Sequence, residues 1–251
     1  MGKIIAVVNQ KGGVGKTTSC VNLSAALHAL GKKTLLCDFD PQANATSGYG
    51  VEKDGVNCSY NVVIDGVPAS EAVRSTDFGD IIPSHKMLSG AGVELVSQED
   101  REYKLRKALL PLKNQYDFIF IDCPPSLELL TLNGLCAADA VLIPVQCEYY
   151  ALEGVTDLVG TLKAVKQNFN RLLEVEGVVM TMYTARTRLC EEVEREVRWF
   201  FDETVYKTVI PRNIRLSEAP SHGMPAVYYD KNSRGAKAYM ELAREFIARQ
   251  K

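Results

Sequence analysis

Short apolar runs alternate along the chain with stretches of helical spacing. The interiors of the runs at 3–8, 34–39, 117–123 and 140–145 are almost uniformly apolar, as expected of strands buried on both faces. Further short strands are predicted near 80 and 95 and at 175–182 and 205–210. Helices are predicted at 16–30, 99–115, 126–137, 151–170, 188–202 and 235–250. This alternation predicts one α/β domain over 1–251, with a mostly parallel sheet and helices on both faces.

Two polar stretches interrupt this regular pattern. The longer one, 41–66, is rich in glycine and is predicted to be irregular and a candidate nucleotide-sensing loop. The other, NQKGGVGKTT at 9–18, joins the first strand to the first helix. It matches the phosphate-binding pattern G-x-x-x-x-G-K-[ST], except that Gln10 replaces the first glycine and Lys11 adds a second cation. A glycine-rich turn without a ligand is the alternative.

Three aspartates follow apolar strands that should end near this loop. In a P-loop NTPase fold Lys16 would reach the β- and γ-phosphates, and the Thr17 hydroxyl would hold Mg²⁺. Asp122 closes the strand at 117–123 and fits the carboxylate that binds Mg²⁺ directly or through water. Asp38 and Asp40 should face the nucleotide, and one of them could orient the attacking water. Solvated turn aspartates before Pro41 are the alternative for this last pair.

Charge and cysteine content add little by themselves. The net charge is −2, so nucleic-acid binding does not follow from the whole chain, but residues 183–251 carry 13 Lys and Arg against 10 Asp and Glu. This third could form a modest basic surface, or its charges could be scattered. None of the seven cysteines stands in a C-x-x-C pair, and most read as small core residues. No membrane span or signal peptide is recognisable, which predicts a cytoplasmic protein.

Five segments, taken together, resemble the ParA/Soj partitioning ATPases of chromosomes and plasmids, from Lys3 to about Tyr239. They are KGGVGKTT, DFDPQANATSG, FIFIDCPPS, IPVQCEYYALEG and IPRNIRLSEAP. This family belongs to the deviant-Walker group of ATPases, together with MinD and the nitrogenase iron protein. The resemblance implies an ATPase that uses ATP and Mg²⁺, has weak intrinsic activity and forms an ATP-bound sandwich dimer. Lys11 would be the lysine that crosses to the partner's phosphates.

The resemblance also assigns individual residues. The catalytic residues would be Lys11, Lys16 and Asp40, of which Asp40 positions the hydrolytic water, with Asp38 beside it. Mg²⁺ would be held by Thr17, Asp38 and Asp122. The nucleotide site would comprise Lys11, Gly12, Gly13, Val14, Gly15, Lys16, Thr17 and Thr18 at the phosphates, with Pro211 and Asn213 at the adenine. Ala43 stands where the family often has glycine, and we expect little consequence.

The expected partners are a second copy of the chain, non-specific double-stranded DNA and a ParB/Spo0J-type protein that stimulates hydrolysis. Arg186 and Arg215 resemble the family's DNA-binding arginines, which implies association with the nucleoid; a solvated or ion-paired surface role is the alternative for each. The chain offers no additional N-terminal helix-turn-helix segment, so operator binding is not expected.

Two other readings stay open. A membrane-cycling ATPase like MinD would need the amphipathic tail AYMELAREFIARQK to lie on lipid, whereas packing on the sheet explains its apolar positions better, and no stable membrane association is expected. An iron–sulfur electron donor would need a cluster on cysteines such as Cys123 and Cys136, although Cys123 lies at a strand end and is expected to pack. The sequence leaves open whether a chromosome or a plasmid is served.

Overall fold

The computed structural model describes residues 2–148, 151–185 and 187–250, without the side chains of residues 151–153. The strands are β1 Lys3–Val7, β2 Thr34–Asp38, β3 Arg74–Thr76, β4 Gly79–Ile82, β5 Phe118–Asp122, β6 Ala140–Gln146 and β7 Glu174–Thr181. The longer helices are α1 Lys16–Ala29, α4 Leu88–Leu95, α6 Leu129–Ala137, α7 Ala151–Asn168, α8 Arg188–Phe201 and α11 Arg234–Arg249. The shorter ones are α2 Asn44–Gly48, α3 Ala69–Ala72, α5 Lys104–Leu109, α9 Ile214–Glu218 and α10 Ala226–Tyr229.

The seven described strands form one sheet in the order β3-β4-β2-β5-β1-β6-β7. All pairs are parallel except β3 with β4, which is antiparallel at the edge. The register places Val7 and Asp38 each opposite Asp122, so β1, β2 and β5 end at the same level. Because parallel strands present their carboxyl ends to one edge, the residues that follow these strands meet there. The expected single-domain α/β fold with a mostly parallel sheet is confirmed.

Apolar side chains cover both faces of the sheet, as the uniformly apolar strands require. One core contains residues of α4, α5, α6 and α7 together with Ile119 and Ile121 of β5. The opposite core contains residues of α1 and α11 together with Phe118 and Phe120 of the same strand. The alternation of Phe and Ile along β5 therefore divides that strand between the two layers.

Two predicted strands are absent from the described residues. The segment near 95 lies in helix α4 instead, because its apolar residues Leu88, Ala91 and Leu95 recur at helical spacing and are fully buried. Residues 205–210 lie beside β7 but form only an isolated bridge, between Val178 and Val205. The amides of Lys207 and Thr208 donate to the Glu245 carboxylate of α11, at 2.8 and 2.9 Å, so a side chain replaces the strand ladder there.

Other helices are shorter than the sequence pattern predicted. The helix expected over 99–115 is reduced to α5 and a 3₁₀ turn at Leu110–Leu112, and α6 begins three residues later than expected. The stretch 41–66 is not irregular throughout, since it contains α2 and a π-helical turn at Asn61–Asp65. The second core extends under α2, because Ala45 and Tyr49 are buried in it.

Candidate nucleotide site

The loop from Asn9 to Gly15 connects β1 to α1 and has the backbone shape of a phosphate cradle. Gly13 and Gly15 have φ angles of 76° and 88°, in the left-handed region that glycine adopts most readily. Gly12 and Gly13 are exposed, and a Cβ added to either would meet no atom within 4 Å. The Thr181 hydroxyl of β7 donates to the carbonyl of Val14 at 2.7 Å and fixes the loop from behind. The amides at the start of α1 are therefore open to an anion.

The two lysines of the loop occupy different environments. Lys16 is buried, and its Nζ donates to the carbonyl oxygen of Lys11 at 2.9 Å. Burial lowers the pKa of Lys16, while the nearby Asp122 and Asp40 oppose that shift. Lys11 lies at the rim, where its side chain is 36% exposed and forms an ion pair with Glu148. Gln146 braces this pair by donating from Nε2 to Glu148 Oε1 at 2.5 Å.

Asp122 is fully buried, and neither oxygen of its carboxylate has a partner with hydrogen-bond geometry among the described residues. Burial raises its pKa well above the usual range, the negative charge of Asp38 adds to the rise, and the nearby Thr17 hydroxyl and Lys16 oppose it. An unsatisfied buried carboxylate is costly, so a cation beside it would relieve the cost. No group of three or more His, Cys, Asp or Glu side chains in the described chain could hold a metal alone. Mg²⁺ would fit here with Thr17, Asp122 and phosphate oxygens, since it commonly uses few protein ligands.

Asp38 is also fully buried, but its carboxylate has protein partners. Oδ2 accepts from the Thr46 amide and from the Thr46 hydroxyl, both at 2.7 Å, and Oδ1 accepts from the Asp40 amide at 3.3 Å. Burial raises its pKa to about 6, and the Thr46 hydrogen bonds limit that rise. The Asp40 side chain accepts from the Gln42 amide at 2.9 Å and is almost buried, so neither aspartate is a freely solvated turn residue.

A cavity of about 400 Å³ adjoins the loop and could hold the base and ribose of a nucleotide. Pro211 and Asn213 line it, together with Gly15, Thr17 and Thr18. The Asn213 side chain caps α9 by accepting from the Arg215 amide at 3.2 Å. Sequence reasoning did not identify several further lining residues, including Asn22, Ser47, Met182, Arg212, Leu216 and Tyr239. They come from five separate parts of the chain, and no local pattern connects them.

Of the two candidate DNA-binding arginines, the structure describes only Arg215. Arg186 lies outside the described residues. Arg215 is half-exposed beside the cavity and is ion-paired with Glu218 at 2.7 Å and Asp230 at 3.4 Å. These neighbours raise the pKa of its guanidinium. Exposed ion pairs contribute only about 0–1 kcal/mol, so this pairing leaves Arg215 available to a phosphate.

The residues that a membrane-cycling ATPase or an iron–sulfur electron donor would use are packed in the protein core. In α11, Leu242, Ala243 and Phe246 are fully buried against the sheet and α1, which accounts for the amphipathic tail. No helix in the described ranges has both the length and the apolarity to cross a bilayer. Cys123 and Cys136 are buried, and burial raises the pKa of both thiols, which disfavours the thiolate that iron requires.

Comparisons with known proteins identify the family of the chain. A family model described as an AAA domain matches residues 2–175. The chain is 54% identical, over 99% of both chains, to the sporulation initiation inhibitor protein Soj of Bacillus subtilis. The chain belongs to the ParA/Soj family. It is also 48% identical to the chromosome partitioning protein ParA of Myxococcus xanthus, over 99% of this chain and 89% of ParA. The chromosome-partitioning ATPase Soj of Treponema pallidum is 51% identical over 99% and 98% of the two chains.

Two solved structures with this fold hold ADP and magnesium. A protein from Mycobacterium smegmatis described as cobyrinic acid a,c-diamide synthase, with bound ADP and magnesium, has 37% identity and a TM-score of 0.84 over 97% of this chain and 93% of that one. The septum site-determining protein MinD of Pyrococcus horikoshii, complexed with Mg-ADP, has 29% identity and a TM-score of 0.81 over 98% and 96%. MinD is therefore a more distant relative than the ParA and Soj proteins.

Proposed function

We propose that this ParA/Soj family member, a single domain over 1–251, is a DNA-segregation ATPase that converts ATP and water to ADP and phosphate with weak intrinsic activity. The observation that carries the proposal is the unequal placement of two lysines in one phosphate loop. Lys16 is buried beside Asp122 and Asp40 and serves the phosphates of its own protomer. Lys11 stands at the rim, where the described residues pair its side chain with the partly exposed Glu148, and this arrangement supports a role towards a second protomer.

Each site residue then has a distinct task. The loop amides of 12–18 and Lys16 bind the phosphates, while Pro211 and Asn213 contact the adenine. Mg²⁺ would be held by Thr17 and Asp122, with Asp38 behind them, and would neutralise phosphate charge. Asp38 already accepts three protein hydrogen bonds, so we expect it to act at longer range than Asp122. Asp40 orients the water that attacks the γ-phosphate.

Facing nucleotides repel each other, and Lys11 contributed by the partner would reduce that repulsion. Nucleotide state then controls dimer state. We propose further that the ATP dimer binds DNA without sequence preference, through Arg186 and Arg215, and is found at the nucleoid in the cytoplasm. Hydrolysis stimulated by a ParB/Spo0J-type protein would release it. Membrane cycling of the MinD kind is not favoured, because the apolar face of α11 is buried.

The experiment compares Lys16→Ala with Lys11→Ala. We expect Lys16→Ala to abolish binding of a fluorescent ATP analogue, because it removes the buried cation of the phosphate site. Lys11→Ala should keep binding within about fivefold, since loss of a rim cation costs under about 1 kcal/mol. It should nevertheless fail to dimerise with ATP in light scattering. Lys33→Ala, an exposed lysine just before β2 at the opposite edge, is the control. ATP-dependent dimerisation equal to the parent in Lys11→Ala would refute the role given to that lysine.

A further inference from the structure

A chain of buried hydrogen bonds connects Asp38 to Asp40 through Thr46 and Ser84, two residues to which the sequence motifs gave no role. The Thr46 hydroxyl donates to Asp38 Oδ2 at 2.7 Å and accepts from the Ser84 amide at 2.9 Å. The Ser84 hydroxyl in turn donates to the carbonyl oxygen of Asp40 at 2.7 Å. The chain therefore runs from the end of β2 to α2, across to Ser84, two residues beyond the end of β4, and back to Asp40.

Every member of this chain is inaccessible to solvent or nearly so. Asp38, Thr46 and Ser84 are fully buried, and Asp40 is 8% exposed. Thr46 uses its hydroxyl as donor and acceptor at once, so a methyl group in its place would leave a carboxylate and an amide each short of a partner. The Ser84 hydroxyl likewise binds a single backbone carbonyl, that of Asp40.

We propose that Thr46 and Ser84 are positioning residues for hydrolysis, which act by holding the backbone of Asp40 in the place where its carboxylate orients water. This inference rests on the proposed function, because it takes the hydrolytic role of Asp40 as given. Asp40 follows β2 on a turn in which its side chain and carbonyl accept from the Gln42 and Ala43 amides, at 2.9 Å each. Its own amide donates to Asp38 at 3.3 Å, and the amide of the preceding Phe39 donates to the carbonyl of Asp122 at 3.0 Å. The relay ties that turn to β4, a strand of the sheet itself. A displacement of about 1 Å at a reacting group can cost about 10²-fold in rate.

A purely structural role would give a different set of results. Loss of packing or of fold stability would reduce the amount of active protein and weaken nucleotide binding together. Loss of positioning would lower kcat and leave the affinity for ATP unchanged, because neither Thr46 nor Ser84 lies in the phosphate loop or among the residues that line the cavity. The separation of kcat from nucleotide affinity is therefore the informative readout.

The experiment compares Thr46→Val with Thr46→Ser. We expect the isosteric valine to lower kcat about tenfold or more, with binding of a fluorescent ATP analogue and ATP-dependent dimerisation retained. Serine keeps the hydroxyl and should restore kcat to within about threefold of the parent. Ser84→Ala should lower kcat in the same way as Thr46→Val, with nucleotide binding and dimerisation retained. Ser59→Ala is the matched control, because the Ser59 hydroxyl is also buried but has no hydrogen-bond partner within residues 2–148, 151–185 and 187–250.

A double-mutant cycle with Asp40→Ala shows whether the relay acts through Asp40. If it does, adding Thr46→Val to Asp40→Ala should lower kcat less than about twofold, since the group being positioned is already gone. Full additivity, or a valine variant with normal kcat, would overturn the inference while the proposed function stands. If Asp40→Ala alone leaves hydrolysis unchanged, the hydrolytic role given to Asp40 in the proposed function is wrong.

Discussion

Asp122 and Asp38 are equally buried and sit opposite each other in register, but only one of them is satisfied by the protein. Asp38 accepts three hydrogen bonds, whereas neither oxygen of Asp122 accepts one in the part of the chain that the structure describes. Unsatisfied buried groups that persist in a folded protein are typical of sites where function, rather than stability, determines the residue. The same carboxylate that fits Mg²⁺ should therefore lower the stability of the protein when no cation is bound.

This expectation can be tested with Asp122→Asn in the absence of nucleotide and metal. Removing the buried charge should raise the free energy of unfolding at pH 7 by at least about 1 kcal/mol. Because the folded pKa of Asp122 is raised, the parent protein loses stability as pH rises from about 4, the pKa of an unfolded aspartate, to its folded pKa. The advantage of the variant should thus vanish as the pH falls towards 4. Urea unfolding with a chelator, measured across this range, checks both points.

Asp139→Asn is the matched control for this measurement. Asp139 accepts from Lys113 at 2.6 Å and from the Ile4 amide at 2.8 Å, so its neutralisation should not stabilise the protein. Asp122→Asn should also lose the extra thermal stability that Mg-ATP gives the parent. A variant that is less stable than the parent at pH 7 would show that the buried charge of Asp122 is compensated.

Single residues were predictable from the sequence where their role is local. The phosphate loop and the aspartates after strands could be predicted, because a few consecutive residues and the end of a strand determine them. Thr46, Ser84 and Glu148 could not, because each has a partner that is distant along the chain. Ser84 lies 38 positions from Thr46 and 44 from Asp40, and Glu148 lies 137 positions from Lys11. Ala43 shows a further case. Its φ angle of 54° explains why glycine suits this position, which the sequence alone did not reveal.

At the scale of elements, most buried strands and amphipathic helices were predictable, including the short strand near 80, which is β4. The segments near 95, at 99–115 and at 205–210 were not. The predicted strand at 205–210 failed because the Glu245 carboxylate takes two of its amide donors, an interaction that requires α11 to be in place. The last helix itself was well predicted, but its apolar face was consistent with either lipid or protein. The burial of that face in the protein core shows that it packs on protein.

The packing of α11 predicts the effect of Phe246→Ala. Phe246 is fully buried, with ring centroids 5.0 Å from Phe118 and 6.0 Å from Phe120. Truncation should lower the free energy of unfolding by about 3–5 kcal/mol. Arg244→Ala, on the exposed face of the same helix, should change it by less than about 0.5 kcal/mol. Chemical denaturation gives both values. A stable Phe246→Ala protein that had lost binding to anionic lipid vesicles would support the membrane reading instead.

At the scale of the whole molecule, the strand alternation predicted the parallel sheet but not its order. The order places β1 between β5 and β6 and brings Asp38 level with Asp122, so a site forms from segments more than 100 residues apart. The net charge of −2 likewise conceals the excess of basic residues over acidic ones in the last third of the chain. A DNA-binding surface built there would be weak on one protomer, and dimerisation would double it.

Arg215 provides the test of that surface. Each DNA phosphate neutralised adds about −0.9 to the slope of log K against log salt, so Arg215→Ala, which removes one contact per protomer, should make the slope of the ATP dimer shallower by about 2. The loss should be equal on unrelated DNA sequences, because phosphate contacts carry no base information. The loss of DNA affinity should also be greater than removal of one positive charge alone would cause. Without the Arg215 cation, the carboxylates of Glu218 and Asp230 are unpaired and repel the DNA phosphates. Fluorescence anisotropy with ATP at several salt concentrations measures these quantities.

Arg171→Ala is the control, because Arg171 is exposed in the turn before β7, at the edge of the sheet opposite the site. Its affinity and slope should match the parent, and light scattering should show that both variants still dimerise with ATP. If the ADP form binds DNA as tightly as the ATP form, dimerisation does not create the surface. If Arg215→Ala keeps the parent slope, its guanidinium stays with Glu218 and Asp230 in the complex, and the ion-paired role is the correct one.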